Sequence, residues 1–271
     1  MNELHIKNLE SPALQPYRTL RQAAEHRKRG IFIAEGEKVV RRLFESDLRV
    51  LSALMTHDWL VKYRSLLESR SENIDVFVAQ KRLLETIVGF PLHQGIMAVG
   101  KVPTPEPLSA ILQKCNRPYF FAAIDGLTNS ENVGVLVRNC GAFGVQALLV
   151  GETSSSPYLR RAVRNSMGAV FKVPVVECSH LGETLALLRE QHHVRVIAAH
   201  PQEEGKTIAK ANLEGDCCVV FGSEGSGLSE QVLEFCDDIV AIPMSNNVDS
   251  LNVASASAVF LYEGFRQRQR G

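Results

Sequence analysis

Three stretches of the chain gather glycine, asparagine, serine and carboxylate residues where an apolar run stops. They are Asn132-Val-Gly134 with Arg138 and Phe143-Gly144, Gly222-Ser-Glu224-Gly225-Ser-Gly227, and Ile242-Pro243-Met244 followed by Asp249-Ser250-Leu251-Asn252. Each offers a different chemistry. Three glycines in six positions let backbone approach a ligand closely. Arg138, amid mostly apolar neighbours, either snorkels or is aimed at an anion. Asp249, Ser250 and Asn252 stand before a run of small residues, Ala254 to Ala258, against which another backbone can pack. The glycine order is not that of the dinucleotide fingerprint, and Glu224 would repel a pyrophosphate, so a dinucleotide cofactor is disfavoured. Plainer readings compete: Asn132 as a helix cap, Gly222 to Gly227 as a strand-to-helix turn, Asp249 or Ser250 as the cap of a tightly packed last helix.

These blocks must be held by regular elements, and the apolar pattern predicts them. Strands are expected at 119–124, 147–150, 173–176, 194–199, 217–221 and 239–242, alternating with helices around 133–143, 158–166, 181–191, 229–236 and 249–268. Apolar strands alternating with helices argue for a mostly parallel sheet covered on both faces. Ligands bind such sheets beyond the carboxyl ends of the strands, and each block follows a predicted strand. Upstream, strands at 31–34, 50–55, 75–78 and 95–99 with helices at 37–45, 59–67 and 80–87 predict a smaller α/β domain. Three alternate prolines, Pro103, Pro105 and Pro107, can continue neither helix nor sheet and mark a linker. The expected division is 1–102, a linker at 103–117, and 118–271.

Composition narrows the class. With 271 residues, 45% of them hydrophobic and 22% charged, the chain can bury a core and is not disordered by default. Its formal net charge is zero, so attraction to nucleic acid has to come from local patches. Arg160, Arg161 and Arg164 form one such patch, placed to grip phosphates, with a solvated helix face as the alternative. Arg18, Arg21, Arg27, Lys28 and Arg29 form another, and Arg266, Arg268 and Arg270 read as a frayed basic tail. The six cysteines include no C-x-x-C pair and no zinc spacing, which points to a reduced, cytoplasmic chain without a metal. Cys140 reads as a packed small hydrophobe. No signal peptide or membrane-length apolar run is seen.

Taken together, Asn132-x-Gly134-x-x-x-Arg138, Gly222-Ser-Glu224-Gly-x-Gly227-Leu228-Ser229 and Ile242-Pro-Met…Ser250-Leu251-Asn252 resemble, in residues, order and separation, the three motifs of the SpoU (TrmH-type) RNA 2′-O-ribose methyltransferases of the SPOUT superfamily. Phe32-Ile-Ala-Glu35-Gly36-Glu37 and His93-Gln94-Gly95-Ile96 are similar to the RNA substrate-binding domain that often precedes them. The resemblance implies an α/β fold whose C-terminal domain carries a deep trefoil knot, which general topology rules would not suggest. It further implies S-adenosylmethionine as cofactor, a homodimer, and RNA as partner, with rRNA favoured over tRNA. The resemblance casts Asn132, Arg138, Glu224, Ser250 and Asn252 as catalytic, and Phe221, Gly222, Gly227, Ile242, Met244 and Leu251 as cofactor-binding. Asn129-Ser130 and Asn139-Cys140 depart from the family's commonest residues, which bears on subfamily and substrate. A non-catalytic RNA binder of the same fold and a tRNA-directed enzyme are the alternatives.

Overall fold

Among the described residues, twelve strands form two sheets. The structure, a computed structural model, describes residues 1–88, 95–201, 206–246 and 248–269. It divides into one unit of Met1–Thr104 with Tyr158–Lys172 and a second of Pro105–Pro157 with Val173–Gly271.

The first unit holds β1 (Asn2–His5), β2 (Ile31–Glu35), β3 (Val50–Met55), β4 (Asp75–Val78) and β5 (Ile96–Lys101), in the order β1-β4-β3-β5-β2. β1, β4 and β3 run parallel, while β5 is antiparallel to both β3 and β2. Phe32 fixes one face. Its ring lies where Gly100 has no side chain, since a Cβ there would stand 2.2 Å from the ring, and it stacks on Phe171 with centroids 5.4 Å apart. Tyr158 adds a second ring at 5.7 Å. The segment Tyr158–Lys172, expected in the C-terminal domain, therefore clusters with the first unit because its aromatics complete that core. His93-Gln94 lies outside the described residues.

The second unit is a seven-stranded, all-parallel sheet: β6 (Phe120–Ile124), β7 (Ala147–Val150), β8 (Val175–Glu177), β9 (Arg195–Ala199), β10 (Lys206–Thr207), β11 (Cys217–Phe221) and β12 (Asp238–Ala241), ordered β10-β12-β9-β11-β6-β7-β8. Every residue of β6 and β11 is buried, as a sheet covered on both faces requires. On one face lie the helix Leu181–His192, through Leu181, Leu185 and Leu188, and the helix Leu108–Lys114, through Ile111 and Leu112. The latter was expected as linker. Leu108, Ile111 and Leu112 have helical spacing, which lets this stretch pack on the sheet instead.

Against the sheet's other face, Val133, Leu136, Val137 and Cys140 turn the helix Ser130–Ala142 inward, and Phe260 of the terminal helix Val253–Arg268 meets Phe221 edge to face. Burial pushes the Cys140 thiol far up, as a packed hydrophobe should show. The basic tail is not frayed at Arg268: its guanidinium donates to the carbonyls of Pro118 and Tyr119 at 2.9 Å each, and lies over the Phe120 ring. Arg266 pairs with Glu263, and Arg270 lies outside the described residues. No described helix is long and apolar enough to cross a membrane.

Candidate active site

Because all seven strands run parallel, the residues that follow them collect at one edge. Phe221 is in register with both Ile124 and Ala199, and Ala199 with Val240. The loops after β6, β9, β11 and β12 are therefore neighbours.

The loop after β11 is a closed hairpin. Ser223 N donates to Gly227 O at 2.8 Å and Gly227 N to Ser223 O at 3.1 Å. This draws the backbone of Gly227 over Gly222, where a Cβ would lie 2.2 Å from Gly227 C and 2.4 Å from Leu228 N, so Gly222 has no room for a side chain. Gly227 takes φ 68°, a left-handed conformation that glycine accepts without strain. Asp125 in the loop after β6 accepts from Ser229 N at 2.8 Å and ties the first block to the second.

Glu224 sits at the exposed tip of this hairpin and accepts hydrogen bonds from Asn132 Nδ2, at 2.5 Å, and from Asn252 Nδ2. Asn252 also reaches Asn132 Oδ1 at 3.4 Å. One residue from each block thus meets in a polar trio. Two capping expectations are corrected here. Asn129, not Asn132, caps the helix Ser130–Ala142, accepting from Glu131 N at 2.9 Å. Asn252, not Asp249 or Ser250, caps the terminal helix, accepting from Ala254 N at 2.9 Å. With Oδ1 committed to the cap, the amide nitrogen of Asn252 is left to serve Glu224. Asn139, one of the departures from the family pattern, donates to Ala254 O and Ser257 Oγ, both at 2.9 Å, and binds the first block's helix to the third block's.

Beside the trio opens a cavity of about 300 Å³ lined by Phe221, Gly222, Glu224, Gly227, Ile242, Met244, Ser250 and Leu251, among others. Of the expected site residues, all the cofactor-binding ones line it, and so do Glu224 and Ser250. Its volume is at the small end of the range for small-molecule sites. The residues present fit S-adenosylmethionine: the apolar walls of Phe221, Ile242, Met244 and Leu251 suit an adenine ring.

Arg138 is not part of the trio. Six residues past Asn132, it lies about 240° further round the helix, exposed, and it makes no hydrogen bond or ion pair with any described residue. Arg160, Arg161 and Arg164 belong to the first unit. Arg160 and Arg164 share Glu35, at 3.5 and 3.8 Å. The sequence reading missed His200, which follows β9 and lines the cavity. Its position directly after a predicted strand was the available signal.

A parallel α/β sheet with a glycine-cradled cavity and a polar trio at its carboxyl edge has the architecture of a ligand-binding α/β site. The model of the SpoU rRNA Methylase family matches residues 119–262, and the chain belongs to that family. Its class is accordingly that of the S-adenosylmethionine-dependent RNA 2′-O-methyltransferases. Among similar proteins, a 23S rRNA (guanosine-2′-O-)-methyltransferase RlmB of Yersinia pestis is 32% identical over 74% of this chain and 82% of its own length. The RlmB of Escherichia coli K12 is 30% identical over 73% and 82%. In fold, the chain is similar to the SpoU methyltransferase AviRb of Streptomyces viridochromogenes in complex with AdoMet, with TM-score 0.82, 23% identity and coverage of 96% and 100%.

Proposed function

We propose that this protein methylates the 2′-hydroxyl of a guanosine ribose in large-subunit ribosomal RNA, at the cavity beside Glu224. The observation that carries this reading is the meeting of Asn132, Glu224 and Asn252, one from each motif block, at the rim of a cavity shaped for an adenosyl group. The names of the relatives at 30–33% identity support rRNA and guanosine as the target.

S-adenosylmethionine supplies an electrophilic methyl group when bound. The chain's own residues have to place a ribose oxygen in line with it, and alignment of this kind is worth up to roughly 7–11 kcal/mol in the best intramolecular cases. The exposed trio is placed to meet the nucleotide. Glu224, held by two amide donors, presents a fixed carboxylate to the ribose, and Ser250 stands beside it. Arg138 acts as a clamp on the neighbouring phosphate and on developing oxyanion charge, because a guanidinium stays protonated and has no site free to accept a proton.

Arg138 points away from the trio within one chain, which supports a homodimer whose partner supplies this residue. Leu251, Val259 and Tyr262 are exposed apolar residues on and before the terminal helix, and offer that interface. The first unit serves as the RNA-binding domain, with Arg164 and the exposed Arg18, Arg21, Arg27, Lys28 and Arg29 as phosphate contacts. A trefoil knot at the third block accounts for the small residues from Ala254 to Ala258, and the reduced cysteines support the cytoplasm as the setting.

The test is methyl transfer from labelled S-adenosylmethionine to rRNA and tRNA transcripts, with the product nucleotide mapped. Transfer to a guanosine ribose in rRNA, lost when the target is 2′-deoxy, is expected. Transfer that survives the 2′-deoxy substitution, or that goes to tRNA alone, would overturn the reading, as would failure to bind S-adenosylhomocysteine, which would leave a non-catalytic RNA binder.

A further inference from the structure

His200 has no counterpart in the three motif blocks, yet the sheet places it at their centre. It is the first residue after β9, whose neighbours are β11 and β12. The register Phe221↔Ala199↔Val240 puts it level with Gly222 on one side and Ala241 on the other. Its backbone N–H is already used, donating to Val240 O at 3.1 Å.

The imidazole lines the cavity and packs against Gly227, where a Cβ would lie 3.0 Å from Cε1 and 3.2 Å from Nδ1. Nδ1 is buried without a hydrogen-bond partner, and the ring is bonded to no other described residue. Buried polar groups are nearly always partnered, and an orphaned N–H is rarer inside a protein than an under-used acceptor. A neutral imidazole carries one donor and one acceptor. A hydrogen on the sealed Nδ1 would have nothing to meet, which favours the tautomer with the N–H on Nε2, free for a bound molecule. On β9 and β12 the cavity lining beside His200 is apolar, Ala199, Val240 and Ile242, whereas the polar trio meets at Glu224, at the tip of the hairpin. The group met at His200 is therefore the flat adenosine arm of the cofactor and not its charged amino-acid arm.

We propose that His200 recognises the adenosine part of S-adenosylmethionine, donating a ring N–H to a ribose or adenine acceptor. This rests on the reading of the cavity as the cofactor site. The test is calorimetric binding of S-adenosylhomocysteine and of 5′-methylthioadenosine, which lacks the amino-acid arm, to the full-length protein and to His200→Leu and His200→Asn, each shown to be folded by its melting curve. Loss of one hydrogen bond should weaken both ligands about 10-fold in His200→Leu, and His200→Asn, which keeps a donor, should recover most of it. Weakening of S-adenosylhomocysteine alone would move the contact to the amino-acid arm and overturn the proposal. Equal binding by wild type and His200→Leu, or equal weakening by both variants, would overturn it too. If wild type binds neither ligand, the cofactor-site reading itself falls, a different result from any of these.

Discussion

Gly222→Ala is the sharpest test of the cradle. The new methyl would lie 2.2 Å from Gly227 C, 2.3 Å from Gly227 O and 2.4 Å from Leu228 N, all of them backbone atoms. Ordinary carbon contacts are about 3.5 Å or more, so the far side of the hairpin must retreat by about 1.3 Å. That displacement is enough to part the two bonds between Ser223 and Gly227. Overpacking costs about 1–3 kcal/mol, and an unmet backbone group about 1–3 kcal/mol more. A net loss of about 3 kcal/mol corresponds to a fall in Tm of roughly 6–12 °C for a domain of 150–250 residues. Differential scanning calorimetry reads this, and S-adenosylhomocysteine titration should show affinity falling with it. Gly225→Ala is the control. A Cβ there meets nothing within 4 Å, so stability should change by no more than about 0.5 kcal/mol. If Gly222→Ala melts with wild type and binds as tightly, the close approach of the turn is not what requires glycine.

Asn252 has two tasks that separate by substitution: Asn252→Ser keeps a capping oxygen and should hold Tm within about 2 °C while methyl transfer falls about 10-fold or more, whereas Asn252→Ala should also lose about 1 kcal/mol of stability. Equal activity in the serine variant would remove the amide from the site. Arg138→Lys keeps the charge but loses the planar fork, so single-turnover rate should fall at least about 10-fold with S-adenosylhomocysteine affinity unchanged; a full rate would refute the clamp. Arg164 is half exposed in its pairing with Glu35, whereas Arg160 is mostly covered. Arg164→Ala should lower the slope of log affinity for RNA against log salt by about 0.7–0.9, and Arg160→Ala should leave it unchanged; the reverse pattern would exchange their roles.

The strands of the parallel sheet were legible because each is an apolar run bounded by polar or turn residues, and β6, β7, β9 and β11 fall within a residue of their expected bounds. β1 was not legible: its four residues are exposed, and only pairing with β4, backed by Asn2 N to Ile74 O at 2.8 Å, makes it a strand. The motif blocks were readable as blocks, but not the partners of their side chains. Asn129 and Asn132 are equally good caps on paper, and what separates them is Glu224, a residue far along the chain. His200 escaped for a related reason. A single histidine after a strand carries no pattern, and its importance comes from standing between two neighbouring strand ends.

The terminal helix has a consequence for how the protein comes into being. It supplies Asn252 to the trio and Phe260 to the cavity wall, is gripped by Asn139, and through Arg268 holds the carbonyls at the start of β6. A nascent chain still lacking this helix has the strands and the residues of the three blocks, but not Val253, Ala256 and Phe260, which complete the cavity's lining. On the reading of this cavity as the cofactor site, a product truncated before the helix would offer only an unfinished place for its methyl donor.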